Sequence, residues 1–296
     1  MVVTVLGASG FLGQQVVHAL LDATDYQVRA FCRSAESLEF GFVEPGRLEL
    51  VAGSILNPDD VQRALKGADS AIYLIHMMDN NDGDFYLQEA EAARITALVA
   101  ERTDLQRLVF MGGLGNDNDK LSEHLASRHN TGRILRERLD SVIELRASMI
   151  IGDGSVAYDI VRAISNKLPL LMVPRWAITP TQPILVSDVM TYLLAALTVQ
   201  VTTNQIIEIG GPEQLTYDKL VALYGREHGH RNWVLVVPFV PRWAAILWLK
   251  TFMPAKHGRM VRPMVESLNN TMVVRSDTAE RIFPTIHPHS IKAALR

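Results

Sequence analysis

Cysteine is almost missing from this chain. Cys32 stands alone among 296 residues, which excludes an internal disulfide and a cysteine-based zinc cluster and fits a reducing compartment. An excess of one charge is missing too, because 29 Lys and Arg against 32 Asp and Glu leave a net charge of −3. Duplex binders carry a strongly basic face, so no nucleic acid partner is expected. The most hydrophobic stretch, Val234 to Met253, is interrupted by Pro238, Pro241, Arg242 and Lys250. It falls short of the ~18 unbroken apolar residues that a spanning helix needs. No basic, cleavable leader precedes the apolar run from Val2 to Leu6, so a cytoplasmic location is expected. There is no Gly-x-Ser-x-Gly elbow and no zinc-protease motif. The pairs His228 with His230 and His287 with His289 lack a third ligand, and no metal is expected. With 48% hydrophobic and 21% charged residues, extended disorder and collagen-like repeats are excluded as well.

What the chain does have is alternation of strand-like and helix-like runs. Strands are predicted at Val2 to Leu6, Gln27 to Arg33, Leu48 to Val51, Ala71 to His76, Arg107 to Met111 and Ile143 to Arg146. Helical periodicity fills the gaps at Phe11 to Leu21, Pro58 to Leu65, Phe85 to Arg102 and Glu123 to Leu139, with Asn57 as N-cap and Pro58 at the first helical position. This order predicts an α/β fold, a Rossmann-type doubly wound parallel sheet with a smaller mixed C-terminal lobe. Residues 1–152 form the dinucleotide-binding part. Residues 153–296 add helices at 156–166, 186–197 and 217–228, strands at 170–173 and 205–209, and a proline-rich loop at 174–183, as one integrated unit with the first half.

The strongest motif is Gly7-Ala8-Ser9-Gly10-Phe11-Leu12-Gly13, which leaves the first strand and opens the first helix. Gly7 permits the tight turn, Gly10 lets backbone approach a pyrophosphate, and Gly13 brings helix and strand together. The phosphates would lie on the free N–H groups and positive end of the helix. At the end of the second strand, where NAD sites place an acid, the chain has Arg33 and Ser34. A cation there suits a 2′-phosphate, so NADP(H) is favoured over NAD(H), although a solvated strand-end arginine would read the same way.

These residues carry a resemblance. The glycine triplet, Gly53-Ser54-Ile55-Leu56-Asn57-Pro58 and Tyr73-Leu74-Ile75-His76 resemble the atypical short-chain dehydrogenase/reductases, and within them the NmrA-like and complex I accessory-subunit-like NAD(P)H-binding proteins. The resemblance extends over nearly the whole chain, through Glu144 to Ser148, Thr181 to Ile184 and Arg262 to Leu268. It implies that Ser54 and Ile55 border an adenine, that Leu74, Ile75 and His76 pass a ribose, and that Gly112, Ala147 and Ser148 lie near a nicotinamide. Relatives usually have an acid where Ser54 stands, so the adenine contact differs here.

The resemblance also shows what is missing. Active members use a Tyr-x-x-x-Lys pair, in which the lysine lowers the tyrosine pKa, together with a serine. None of the seven tyrosines has a lysine four residues later. The place of the pair is taken by His129-Asn130-Thr131-Gly132-Arg133, and that of the serine by Met111-Gly112-Gly113. His129 and Arg133 are spaced i, i+4 and are expected to share a helix face toward the cleft. There His129 is the candidate proton donor and Arg133 the candidate anion or ribose contact. A polar face without chemistry is the plainer reading.

Between Pro238 and Pro263, Phe239, Trp243, Ile246, Leu247, Trp248, Leu249 and Phe252 are interleaved with Arg242, Lys250, Lys256, Arg259 and Arg262. Three roles are open for this stretch: lobe core, roof of a hydrophobic pocket, or peripheral membrane or partner contact through 239–262. The expected function is an NADP(H)-dependent oxidoreductase on a small hydrophobic carbonyl or quinone-like substrate. The alternative is an NADP(H)-binding redox sensor or assembly factor without turnover.

Overall fold

The computed structural model describes residues 1–34, 38, 40, 43–77, 85–168, 170–229, 232–238, 240–252 and 261–293. His230, Phe239, Lys256, Arg259 and the side chain of Phe252 lie outside the described residues. The first half runs β1 (Val2–Leu6), α1 (Phe11–Ala23), β2 (Gln27–Cys32), β3 (Leu48–Ala52), α2 (Pro58–Leu65), β4 (Ser70–Tyr73), α3 (Phe85–Ala100), β5 (Arg107–Gly113), α4 (Glu123–Arg138) and β6 (Val142–Ala147). The second half adds β7 (Ile150–Ile151), α5 (Val156–Lys167), β8 (Leu170–Pro174), β9 (Pro180–Thr181), β10 (Ile184–Leu185), α6 (Val186–Thr198), β11 (Gln205–Ile209) and β12 (Leu215–Thr216). It continues through α7 (Tyr217–Glu227), β13 (Trp233–Val237), α8 (Arg242–Phe252), α9 (Val261–Ser267) and α10 (Thr278–Ile282).

The central sheet has seven strands in the order β11-β6-β5-β4-β1-β2-β3, and each adjacent pair is parallel. The chain winds outward from β1 through β2 and β3, then returns to β4 on the other side of β1. The strand order therefore reverses between β1 and β4, and the crevice beyond their carboxyl ends is where open α/β sheets bind ligands.

Both faces of the sheet are covered, which is why its strands read as nearly continuous apolar runs. Val3 and Val5 of β1 face a core built with Val16, Val17 and Leu20 of α1 and Val189 and Leu193 of α6. Leu6 faces the opposite core, with Val61 and Leu65 of α2, Ala93 and Ala97 of α3, and Leu135 of α4. Asn57 caps α2, its side chain accepting the Asp59 N–H at 3.0 Å. Arg107 of β5 donates to the carbonyls of Ala196, Leu197 and Val199, placing a cation at the C-terminal end of α6.

Three details differ from the sequence reading. β4 ends at Tyr73 and not at His76, although Leu74 N–H still donates to the Leu6 carbonyl at 2.9 Å, and the chain there passes close to the glycine turn. A Cβ on Gly7 would lie 3.2 Å from the Leu74 carbonyl carbon. The proline-rich loop holds β9, which pairs with β12. The run from Trp233 to Val237 is a strand, β13, paired in parallel with β8.

Candidate functional site

The glycine turn is held by backbone. The N–H groups of Gly7 and Ala8 both donate to the Phe31 carbonyl at 3.0 Å, and Gly10 N–H donates to the Gly7 carbonyl at 3.1 Å. Gly7 has φ +95°, which a side chain rarely tolerates. A Cβ on Gly13 would lie 2.2 Å from the Gly7 carbonyl oxygen and 2.7 Å from Ala8 Cα. Only glycine lets α1 start this close to β1. Gly10 caps α1 without a side-chain hydrogen bond, and no acid stands in the first turn. The helix ladder begins with Gln14 N–H to the Gly10 carbonyl, 3.0 Å. The N–H groups of Phe11, Leu12 and Gly13 therefore precede the ladder, at the positive end of the helix dipole. This cradle fits a pyrophosphate.

A cavity of about 1010 Å³ opens from this turn. Gly7, Ser9, Gly10, Phe11, Leu12 and Gly13 line it, as do Arg33, Ser54, Ile55, Leu74, Ile75, His76, Gly112, Ala147 and Ser148. Ser34 is not among the lining residues, and its carbonyl accepts from the Cys32 thiol at 3.1 Å. Arg33 is exposed. It makes no side-chain hydrogen bond or ion pair with any described residue, which leaves its guanidinium available at the cavity wall. Ser54 N–H is held by the Asp60 carboxylate at 2.8 Å, so an acid does stand behind this corner, six residues further on. The Ser148 hydroxyl donates to the Gln182 carbonyl at 2.5 Å.

The expected pairing of His129 and Arg133 at the cleft is corrected by the structure. Neither lines the cavity. Arg133 is exposed and pairs with Glu137, and donates to Asn130 Oδ1 at 2.7 Å. His129 is buried, with Nε2 donating to the Gly113 carbonyl at 2.9 Å and Nδ1 against Asp117. Burial first, and then the Arg146 charge, push its pKa down. It belongs to an ion cluster around the fully buried Glu144, which contacts Arg136 and accepts from Arg146 Nε at 2.6 Å. Arg146 in turn donates to Asp117 at 3.2 Å. This cluster sets the rotation of α4. A Cβ on Gly132 would lie 2.2 Å from Glu144 Oε2, so that helix face turns inward and Arg133 turns out.

The residues α4 does present to the cavity are His124, Leu125 and Arg128. Arg128 donates to the Ile75 carbonyl at 2.7 Å and to the Met111 carbonyl, and its guanidinium lies 4.8 Å from the Phe110 ring centre. It ties the ends of β4 and β5 to α4. Behind it Glu89, almost wholly buried in α3, meets His76 Nδ1 at 2.5 Å and accepts from Met77 N–H at 2.9 Å and from the Ser127 hydroxyl at 2.5 Å. Burial alone would raise the Glu89 pKa. The His76 contact, the Arg128 charge and the Ser127 hydroxyl overcome that and hold it well below the carboxylate range. The His124 ring lies against that of His76, with centres 4.9 Å apart and planes tilted by 31°, and its buried Nδ1 has no hydrogen-bond partner among the described residues. Burial, then the neighbouring His76 and Arg128, push the His124 pKa down to about 3. Sequence reasoning missed Glu89, His124 and Arg128. The available signal was weak: Glu89 is one of two carboxylates, with Glu91, in the alanine-rich helix 85–100.

Beyond His124 the cavity turns apolar. Ile160 and Val161 of α5, Val221 of α7, Leu249 of α8 and Val265 of α9 line this end. Tyr217 also lines the cavity, with burial raising its pKa to about 12. The hydroxyl is therefore a neutral hydrogen-bonding group at physiological pH.

A family model described as NAD(P)H-binding matches residues 7–163. Oxidoreductase AgnL4 of Paecilomyces divaricatus is 29% identical over 149 residues, 47% of this chain and 56% of that protein. NADH dehydrogenase (ubiquinone) 1 alpha subcomplex subunit 9, mitochondrial, of Dictyostelium discoideum is 23% identical over 228 residues, 75% of this chain and 62% of that protein. The chain thus spans less than two thirds of the length of these curated relatives. In structure it is similar to the Citrobacter sp. triphenylmethane reductase complexed with NADP(H), with a TM-score of 0.76 at 14% identity, covering 99% of this chain and 98% of that one. It is also similar to MoeE5 in complex with UDP-glucuronic acid and NAD, with a TM-score of 0.74 at 15% identity, covering 100% and 96%. The glycine turn, the parallel sheet whose order reverses beside it and the matching family model agree: the chain belongs to the NAD(P)H-binding family.

Proposed function

We propose that this chain is an NADP(H)-dependent oxidoreductase acting on an apolar carbonyl or quinone-like substrate. The observation that carries this reading is the continuity of one cavity, from the glycine turn to the apolar chamber between α5, α7, α8 and α9. A nucleotide and an apolar acceptor would share one space, with His124 and Tyr217 among the polar groups that line it. The N-terminus of α1 would hold the pyrophosphate and Arg33 the 2′-phosphate. When bound, the nicotinamide supplies the hydride for reduction, and the acceptor oxygen then needs one proton. His124, neutral at pH 7, and Tyr217 both line the cavity and would border that oxygen, the Tyr217 hydroxyl as its hydrogen-bonding partner. With no Tyr-x-x-x-Lys pair, the proton comes from water. That suits a quinone, whose reduced oxygen is less basic than a simple alkoxide.

The test is oxidation of NADPH by the purified protein with a panel of quinones, ketones and aldehydes, compared with His124→Gln. The expected result is turnover with an apolar acceptor, lowered at least about tenfold by the substitution, with nucleotide affinity retained. No turnover on any acceptor, with NADPH still bound, would overturn the oxidoreductase reading. It would favour the non-catalytic NADP(H)-dependent regulator that the missing tyrosine-lysine pair also suits.

A further inference from the structure

We propose that the outer face of β8 and β13, with the exposed stripe of α8, seats this protein on the surface of a bilayer containing anionic lipid. The parallel register places Trp233 beside Leu170 and Leu235 beside Met172. Side chains alternate along a strand, so these four share one face. They are 60, 50, 50 and 52% exposed respectively. On the other face Leu171 and Val173 are buried in the core made with α5 and α7. A two-stranded ribbon with one buried face ordinarily turns polar residues to water on the other. Here both faces are apolar.

α8 follows β13 after four residues and repeats the pattern. Trp243 and Leu247, one turn apart, are 70 and 61% exposed. Lys250 continues their stripe and is exposed. Ile246 and Leu249 turn the other way, against Val261 and Val265 of α9, and Leu249 lines the cavity. The helix therefore stands between the cavity and this apolar surface.

The charge of the region selects the partner. No Asp or Glu occurs between Glu227 and Glu266, whereas Arg231, Arg242, Lys250, Lys256, Arg259 and Arg262 do, in a chain whose net charge is −3. Arg242 and Lys250 are exposed at the two ends of α8, while Arg262 is paired with Glu266 at 2.9 Å. Exposed aromatic and aliphatic side chains flanked by the exposed cations Arg242 and Lys250, in a stretch of sequence without a carboxylate, match an interfacial contact with negatively charged headgroups. Among the described residues no helix is long and apolar enough to cross a membrane, so the contact is peripheral.

The full chain is tested by flotation with vesicles of phosphatidylcholine alone and of phosphatidylcholine with phosphatidylglycerol. Binding to the anionic vesicles only, weakened by salt, is expected. Trp243→Ser with Leu247→Ser should lower that binding by more than about tenfold. Arg242→Glu with Lys250→Glu, which leaves the apolar face intact, should lower it as well. Quenching of tryptophan fluorescence by brominated lipid reports insertion. Failure to bind either vesicle would overturn the proposal. So would a wild-type dimer that the serine variant turns into a monomer without vesicle binding, which would assign the face to a second copy of this chain.

Discussion

The imidazoles of His76 and His124 lie 4.9 Å apart, centre to centre, tilted by 31°. One comes from just beyond β4 and the other from the first turn of α4. The Glu89 carboxylate holds His76 from behind. Arg128 stands beside the pair, donating to the Ile75 and Met111 carbonyls. A second positive charge here would be buried next to an arginine and another imidazole, and the fold therefore keeps His124 neutral.

This neutrality makes stability depend on pH in a stated direction. His124 has a folded pKa of about 3 against an ordinary value of 6.5. The unfolded chain thus binds more protons there below pH 6.5, and stability falls as the pH drops through that value toward 3. Glu89 is held below its ordinary value of 4.5 and loses its contribution only below that. Denaturant unfolding between pH 7 and pH 5 should show falling stability in the wild type and a shallower fall in His124→Gln. Equal slopes would contradict the assignment.

Gly13→Ala places a methyl group against the Gly7 carbonyl and Ala8 backbone. Neither can move without disturbing the turn. Chemical denaturation should show a loss of about 1–3 kcal/mol, and calorimetry should show weakened nucleotide binding as α1 is pushed away from β1. A variant with unchanged stability and affinity would contradict the close approach.

His129→Ala removes a member of the buried ion cluster without touching the cavity. The expected loss is about 1–3 kcal/mol of stability, because the Gly113 carbonyl loses its donor and Asp117 keeps only Arg146. Nucleotide affinity and any turnover should remain within about twofold of wild type. Abolished turnover with stability intact would restore His129 to the reaction.

The difference between what was and was not legible in the sequence is physical. The turn from Gly7 to Gly13, the Asn57 cap and the alternating strands are local features, set by residues within a few positions of one another. The face α4 presents is not local. An i, i+4 spacing fixes how His129 and Arg133 relate to each other, but the rotation of the helix depends on Glu144, twelve residues after Gly132, and on the arginines around it. Glu89 is buried because a loop after β4 and a helix turn at Ser127 bring it partners, which nothing adjacent in the chain reveals. β13 reads as part of one apolar run with α8, and only its pairing with β8 separates them.

Calorimetric titration of the purified protein with NADPH and with NADH, in wild type and in Arg33→Ala, tests the cofactor assignment. NADPH should bind the wild type more tightly than NADH does. Arg33→Ala should weaken NADPH by roughly tenfold, the worth of a charge-assisted contact, and leave NADH nearly unchanged. Equal binding of the two nucleotides, unaffected by Arg33→Ala, would contradict the assignment of Arg33 to the 2′-phosphate, and failure to bind either would contradict the proposed function.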